Sequence, residues 1–152
     1  MYKFKMKSKR FQPWLSMTLP RPSVDDSPPL TGWVKGYRAT DIEERFARAC
    51  RNNQADFGFK IRIPVLSNLI GDKKEIDFVL YLALPQTVDI DGEFSHKTAE
   101  QVGEDQLRDA LLNNELIKKN YQIPHLRVPW YKLDNQDKAD NVVRSIVTGA
   151  YI

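Results

Sequence analysis

The chain has 152 residues, of which 41% are hydrophobic and 28% charged, and its formal net charge is +3. This length suits one domain with a substantial core. No apolar run is long enough to span a bilayer, and the basic N-terminus is not followed by the apolar core of a signal peptide. Cys50 is the only cysteine, which excludes an internal disulfide and a cysteine-based zinc site. These features predict a cytoplasmic, intracellular protein without a membrane partner.

Residues 1–31 are predicted to form an extended arm, and residues 32–152 an α/β domain. The first ten residues carry lysines and Arg10 but no acid, so they could contact phosphates or remain a solvated tail. Residues 11–31 hold more than half of the prolines, which exclude a regular helix or a central strand. Apolar residues within the arm predict that it packs on its own domain or on a second subunit. A homodimer through the arm is therefore one expectation.

The predicted elements of the domain begin with a helix. Thr40, followed three residues later by Glu43, is a capping box, and the helix should end near residues 52–53. The remaining elements follow in chain order: a strand over 57–66, a turn over 71–74, a strand over 76–84, a short strand over 87–91, a long helix over 98–119, a strand over 125–130 and a helix over 138–147.

This order predicts an α/β fold with a small mixed sheet and helices on both faces. The first three strands can form a meander, and the fourth returns through the long helix, as a right-handed crossover if it is parallel to its partner. Two apolar stripes are expected to face the core. They comprise Val102, Leu107, Ala110, Leu111 and Ile117 in the long helix, and Val142, Val143 and Ile146 in the last one.

Asp77 is the first candidate for chemistry, because it lies early in an otherwise apolar strand. Burying a carboxylate without a partner is costly, and a metal ion is one suitable partner. An exposed position paired with Lys73, Lys74 or Arg62 is the alternative, and taken alone it is the better interpretation.

Asp89 and Asp91 form the second candidate, in the sequence V-D-I-D-G. Residues two apart on a strand point to the same side, so the two carboxylates would repel unless a cation lies between them. If this strand is next to that of Asp77, the oxygens suit Mg²⁺ or Mn²⁺. A polar hairpin turn is the alternative, since Asp-Gly is a common turn signal.

Further polar candidates lie beyond this strand and in the first helix. His96 could transfer protons, and Lys97 could hold a phosphate or orient water. Glu43 is already explained by the helix dipole and the capping box. Elsewhere, His125 is expected to be structural. Trp14, Trp33 and Trp130 could stack on bases, although a tryptophan is more often simply packed.

Taken together, the acids fall in a recognisable order: a helix with Glu, a strand with Asp, a strand with acid-x-acid, then a polar run into a helix. This order resembles the PD-(D/E)XK nuclease superfamily, and within it the very-short-patch repair (Vsr-like) endonucleases and their uncharacterised relatives. The resemblance covers about residues 40–130. It rests on residues 40–46, 76–80 and 88–96, and on Asp105 and Arg108 in the following helix.

The resemblance implies a restriction-endonuclease-like three-layer core and Mg²⁺-dependent hydrolysis of DNA phosphodiesters. Asp77 would be the principal metal ligand and Asp89 the second acid. Asp91 stands where many members have a lysine, so it would bind metal or orient water. The same resemblance implies that His96 transfers a proton or contacts phosphate, and that Glu43 is an outer ligand or a lysine partner.

Two functions are therefore expected from the sequence. The first is a DNA endonuclease of the nicking, repair, junction-resolving or mobile-element type. The alternative is a catalytically degenerate nucleic-acid-binding or assembly subunit on the same fold, which the missing lysine at Asp91 favours. The cysteine-rich zinc site of true very-short-patch enzymes is also missing, which argues against mismatch specificity.

Overall fold

The chain forms a mixed four-stranded sheet with three helices, preceded by a short hairpin. The structure is a computed structural model that describes residues 26–64, 73–92 and 98–151. In chain order the elements are β1 (Trp33–Val34), β2 (Tyr37–Arg38), α1 (Asp41–Asn52), β3 (Phe57–Pro64), β4 (Lys73–Leu80), β5 (Gln86–Asp91), α2 (Ala99–Lys118), β6 (Leu126–Pro129) and α3 (Gln136–Val147). A 3-10 turn over Trp130–Lys132 joins β6 to α3.

The sheet has the order β3-β4-β5-β6. Its first three strands are antiparallel, and β6 is parallel to β5 after the crossover through α2. The predicted meander and the α/β class with a mixed sheet are confirmed, and the fourth strand, for which the sequence left the direction open, is parallel to its partner. No helix in the described ranges has the length and apolarity needed to cross a membrane.

Two apolar clusters cover opposite faces of the sheet. Phe78 belongs to the larger cluster, built with α1 and α3, whereas Val79 belongs to a smaller one built with α2. Since neighbouring residues of a strand point to opposite faces, the helices lie on both sides. Val142, Val143 and Ile146 of α3 are in the larger cluster, as predicted.

The predicted apolar stripe of the long helix is wrong except at Leu111, which is partly buried and packs against the smaller cluster. Val102, Leu107 and Ile117 are exposed, whereas Leu112 and Leu116 are fully buried. The buried leucines are four residues apart and pack with residues of β3 and β4, so the C-terminal half of the helix provides the contact. An apolar count along the sequence does not show which part of a long helix meets the sheet.

Several predicted boundaries also change. Lys73 and Lys74 belong to β4 and not to a turn, whereas residues 65–72 lie outside the described ranges. β4 ends at Leu80: the Tyr81 amide still donates to the carbonyl of Asp56, and the chain bends over residues 82–84 before β5. α3 begins two residues early because the side chain of Asn135 caps it. Trp130 lies in the 3-10 turn, beyond the end of β6.

The segment before the hairpin is held against α1. Asp26 forms a bidentate ion pair with the buried Arg45, with N–O distances of 3.2 and 3.1 Å. The backbone amides of Thr31 and Gly32 donate to the buried carboxylate of Glu44. The last residues of the predicted arm therefore pack on the chain's own domain, and the rest of the arm lies outside the described residues.

Candidate functional site

The backbone pairing between β4 and β5 ends at Asp77 and Asp89. Their paired residues run from Leu80 with Gln86 to Phe78 with Val88. One further step in this register places Asp77 opposite Asp89. There the backbone ladder is replaced by side chains, because the Asp77 amide donates to Oδ1 of Asp89 at 3.0 Å and the Ile90 amide donates to Oδ2 of Asp77 at 2.8 Å. The two carboxylates thus lie side by side between the strands.

On the β3 side of β4, the residue at the position opposite Asp77 is Lys60. Phe59 pairs with Phe78 and Ile61 with Ile76, so Lys60 faces Asp77 across the strand pair. The backbone of Lys60 is in the left-handed region, with φ at +56°. At this position the apolar side chains of β3 change cluster, from Phe57 and Phe59 on the α1 side to Ile61 and Ile63 on the α2 side.

Burial and neighbouring acids make the charge of Asp77 unfavourable. The pKa of Asp77 is raised from 3.8 to about 6, chiefly because partial burial disfavours the ionised form. The hydrogen bond from Ile90 opposes this rise in pKa, the charges of Asp89 and Glu43 add to it, and the charge of Lys60 lowers it. Glu43 therefore lies close enough to influence Asp77, although its carboxylate already completes the capping box with the Thr40 amide.

Asp89 is held from its other side by His125. Nε2 of His125 lies 3.0 Å from Oδ2 of Asp89, and Nδ1 lies 2.9 Å from the Thr87 hydroxyl. A carboxylate can only accept, so Nε2 donates. The His125 side chain has no exposed surface, and its backbone amide donates to Asn113 of α2. The burial of His125 agrees with the expectation that it is structural, but no sequence pattern indicated its hydrogen bond to Asp89.

Asp91 lies in a separate ion-pair network. Its Oδ1 accepts from Arg127 at 3.1 Å, and Arg127 also binds Asp109 of α2 at 2.9 Å. Burial lowers the pKa of Arg127, but the bonds and charges of Asp109, Asp89 and Asp91 raise it above its ordinary range, so the guanidinium stays charged. Asp91 is thus neutralised by a cation of the chain itself.

The structure brings together some of the residues predicted for the site. Asp77 and Asp89 lie opposite each other, and each carboxylate accepts a backbone hydrogen bond from the other strand. Glu43 is close enough to raise the pKa of Asp77, whereas Asp91 is paired with Arg127. His96 and Lys97 lie outside the described residues. Arg62 pairs with Glu75 and not with Asp77.

The sequence did not identify Lys60 and His125 as neighbours of the acid pair. Lys60 occupies an ordinary polar position in an alternating strand, and only the register shows that it faces Asp77. His125 just precedes β6, and its role depends on the parallel pairing of β6 with β5.

The donor chemistry of the acid pair fits a hard divalent cation. Within the described ranges, no group of three or more His, Cys, Asp or Glu side chains is placed to hold a metal ion. Magnesium is commonly held by one or two carboxylates, with water and substrate phosphates supplying the other ligands. Asp77 and Asp89 supply these two carboxylates. A bound cation would offset both the burial and the neighbouring negative charges that raise the pKa of Asp77.

No protein-family model, curated protein or solved structure matches this chain.

Proposed function

We propose that this chain is a metal-dependent endonuclease that hydrolyses DNA phosphodiester bonds on a restriction-endonuclease-like core. The observation that carries the proposal is the pairing of Asp77 with Asp89 between β4 and β5. The order of one helix, three antiparallel strands, a helix and a parallel strand supports it. Paired carboxylates at a break in a sheet ladder are costly for folding, and metal binding offers a reason for their presence.

Asp77 and Asp89 are the residues that would hold Mg²⁺ or Mn²⁺. When bound, such an ion supplies charge neutralisation at the phosphate and lowers the pKa of a bound water. His125 keeps the Asp89 carboxylate in place through its Nε2 hydrogen. The nearby Lys60 offers a positive charge to a phosphate, which is the contribution that Asp91 cannot make.

Strand cleavage tests the proposal directly. Purified protein is incubated with supercoiled plasmid and with branched DNA, in Mg²⁺, Mn²⁺ or EDTA. We expect nicking that requires a metal and that falls in Asp77→Asn by more than the ~10–100-fold typical of losing an outer-shell partner. Glu75→Gln is the matched control, because Glu75 lies on the same strand, is exposed and pairs only weakly with Arg62 at 3.8 Å.

The second candidate function is a nucleic-acid-binding or assembly subunit without catalysis. The ion pair between Asp91 and Arg127 favours it, since this acid is already neutralised by the protein. Absence of metal-dependent cleavage on every substrate, with DNA binding retained, would support this candidate over the nuclease. Cleavage that survives Asp77→Asn would show that the catalytic residues lie elsewhere.

A further inference from the structure

One side of α2 is uncharged along the whole helix. Successive residues of a helix are turned by about 100°, so the position of each side chain around the axis follows from its number. Leu112 and Leu116 define the buried side of α2. A continuous arc on the solvent side carries eight exposed residues, here called the outward face: Ala99, Val102, Gly103, Gln106, Leu107, Ala110, Asn114 and Ile117. None of the eight is charged.

The charged residues of α2 lie on the remaining arc. They are Glu100, Glu104, Asp105, Arg108, Asp109, Glu115 and Lys118. This distribution is unusual, because the charged residues of a surface helix normally lie opposite the side that meets the core. The three large apolar side chains of the outward face are 41%, 47% and 55% exposed, in the order Val102, Leu107 and Ile117. An exposed apolar face of this kind is typical of an interaction surface.

The charge of α2 argues against two partners for this face. The helix carries five acids and two bases, so it repels nucleic acid. The first ten residues of the chain hold four lysines and Arg10 without an acid, but the outward face has no acid to pair with them. A partner of this face is therefore expected to present an uncharged apolar surface of its own.

A second copy of α2, running in the opposite direction, meets this requirement. Reversal of the helix about its middle places Ala99 against Ile117 of the second copy. The same reversal places Gln106 against Ala110 of the second copy. Each of these contacts joins a long side chain to an alanine, which lets two helices approach closely. In a two-fold pair every such contact occurs twice.

The charges at the edge of the outward face are complementary in the same arrangement. Glu100 and Lys118 are about five helical turns apart, so they lie on the same edge of the face. Antiparallel packing brings Glu100 of each copy to the Lys118 end of the other, whereas parallel packing would place like charges at the same end. Lys118 is 61% exposed and pairs with Glu115 at 3.6 Å, a contact that a second acceptor can join.

From these observations we infer that the outward face of α2 is the contact surface of a homodimer in which the two α2 helices pack antiparallel. The inference is independent of the proposed function, because Asp77 and Asp89 take no part in the contact. It assigns dimerisation to α2 and not to the N-terminal arm.

Sedimentation equilibrium of the full chain tests this surface. We expect a mass that rises from one chain to two with concentration. Leu107→Glu should weaken association by about 100-fold or more, because it places two carboxylates close together near the two-fold axis. Tyr131→Glu is the matched control, since Tyr131 is 54% exposed in the 3-10 turn, and it should associate like the unmodified chain.

The fold of the Leu107 variant is checked separately from its association. Leu107 is 47% exposed in a single copy. At concentrations too low for association, urea unfolding of Leu107→Glu should therefore match that of the unmodified chain.

Cross-linking tests the direction of the helices. Cys50 is fully buried, so a short bismaleimide reaches only cysteines introduced at exposed positions. Ala99→Cys and Ile117→Cys are prepared as separate proteins and then mixed. The mixture should link far more efficiently than either protein alone, because the two copies of either position lie about 27 Å apart along an antiparallel pair.

A single-chain mass at every concentration would overturn the inference. A dimer that is as tight in Leu107→Glu as in the Tyr131→Glu control would also overturn it, by placing the contact elsewhere, for example on the N-terminal arm. Self-linking of Ala99→Cys as efficient as that of the mixture would show that the helices are parallel, against the inference.

Discussion

At the residue scale, Asp77 has a pKa raised from 3.8 to about 6 in the folded protein. Because the folded pKa is above the unfolded value, the ionised carboxylate opposes folding above about pH 6, and this cost disappears as the pH falls toward the unfolded pKa. Asp77→Asn should therefore stabilise the metal-free protein at about pH 7.5, by about 1 kcal/mol or a rise of about 2–4 °C in Tm.

Thermal unfolding in EDTA from about pH 4 to pH 8 measures this effect. The gain in Tm should shrink steadily below about pH 6, and Glu75→Gln should show no such trend. A gain of the same size at both ends of the range would refute the assignment to the Asp77 charge.

His125 is expected to act by positioning Asp89. His125→Asn removes the bond to Oδ2 of Asp89, because its side chain reaches only to the position of Nδ1 beside the Thr87 hydroxyl. The buried Asp89 oxygen then lacks its donor, which should cost about 1–3 kcal/mol of stability. It should also raise the Mg²⁺ concentration needed for half-maximal nicking by ~10–100-fold.

Val143→Ala provides the comparison for His125, because Val143 is fully buried in the larger apolar cluster and has no hydrogen bond to Asp89. That variant should lower Tm without changing the Mg²⁺ requirement. If both variants shift the metal requirement alike, His125 has only a structural role.

At the scale of elements, α2 is held by its C-terminal half. Leu112 is fully buried against β3 and β4, whereas Leu107, one and a half turns earlier, is 47% exposed. Leu112→Ala should lower the free energy of unfolding by about 2–5 kcal/mol, and Leu107→Ala by no more than about 0.5 kcal/mol. Urea unfolding of the two variants makes the comparison, and equal losses would contradict the packing of this helix.

Local signals explain which elements were predictable. The capping box of Thr40 and the alternation of β3 depend on neighbouring residues, so both elements were predicted within a few residues. The β1–β2 hairpin was missed because its strands have only two residues each and its turn is Lys-Gly, not the more common Asn-Gly.

The candidate site was only partly predictable for a related reason. Asp77 and Asp89 could be picked as an acid pair because their strands follow each other in a meander. The contributions of Lys60, His125 and Arg127 depend on strand register and on the crossover through α2, which bring together residues far apart in the chain. Periodicity within one strand carries no information on such pairings.

At the scale of the whole molecule, Arg45 joins three parts of the chain. It lies on α1, forms the bidentate ion pair with Asp26 before the hairpin, and donates to the carbonyl of Leu133 ahead of α3 at 3.1 Å. Both side chains of the ion pair are 2% exposed. The same helix carries Glu43 near Asp77, so this contact fixes the segment leading into the hairpin relative to the acid pair.

Removing only Asp26 should lower the free energy of unfolding far more than replacing both members of the ion pair. Asp26→Ala leaves Arg45 charged and buried, and should cost about 3–5 kcal/mol in urea unfolding. Asp26→Ala combined with Arg45→Met removes the charge as well, so part of that loss should be recovered, although the Leu133 carbonyl then lacks its donor. Asp134→Ala, at an exposed pair with Lys138, should cost at most about 1 kcal/mol. If the double variant is less stable than Asp26→Ala, the penalty does not come from a stranded arginine, and the contact with Leu133 is the more important part of the junction.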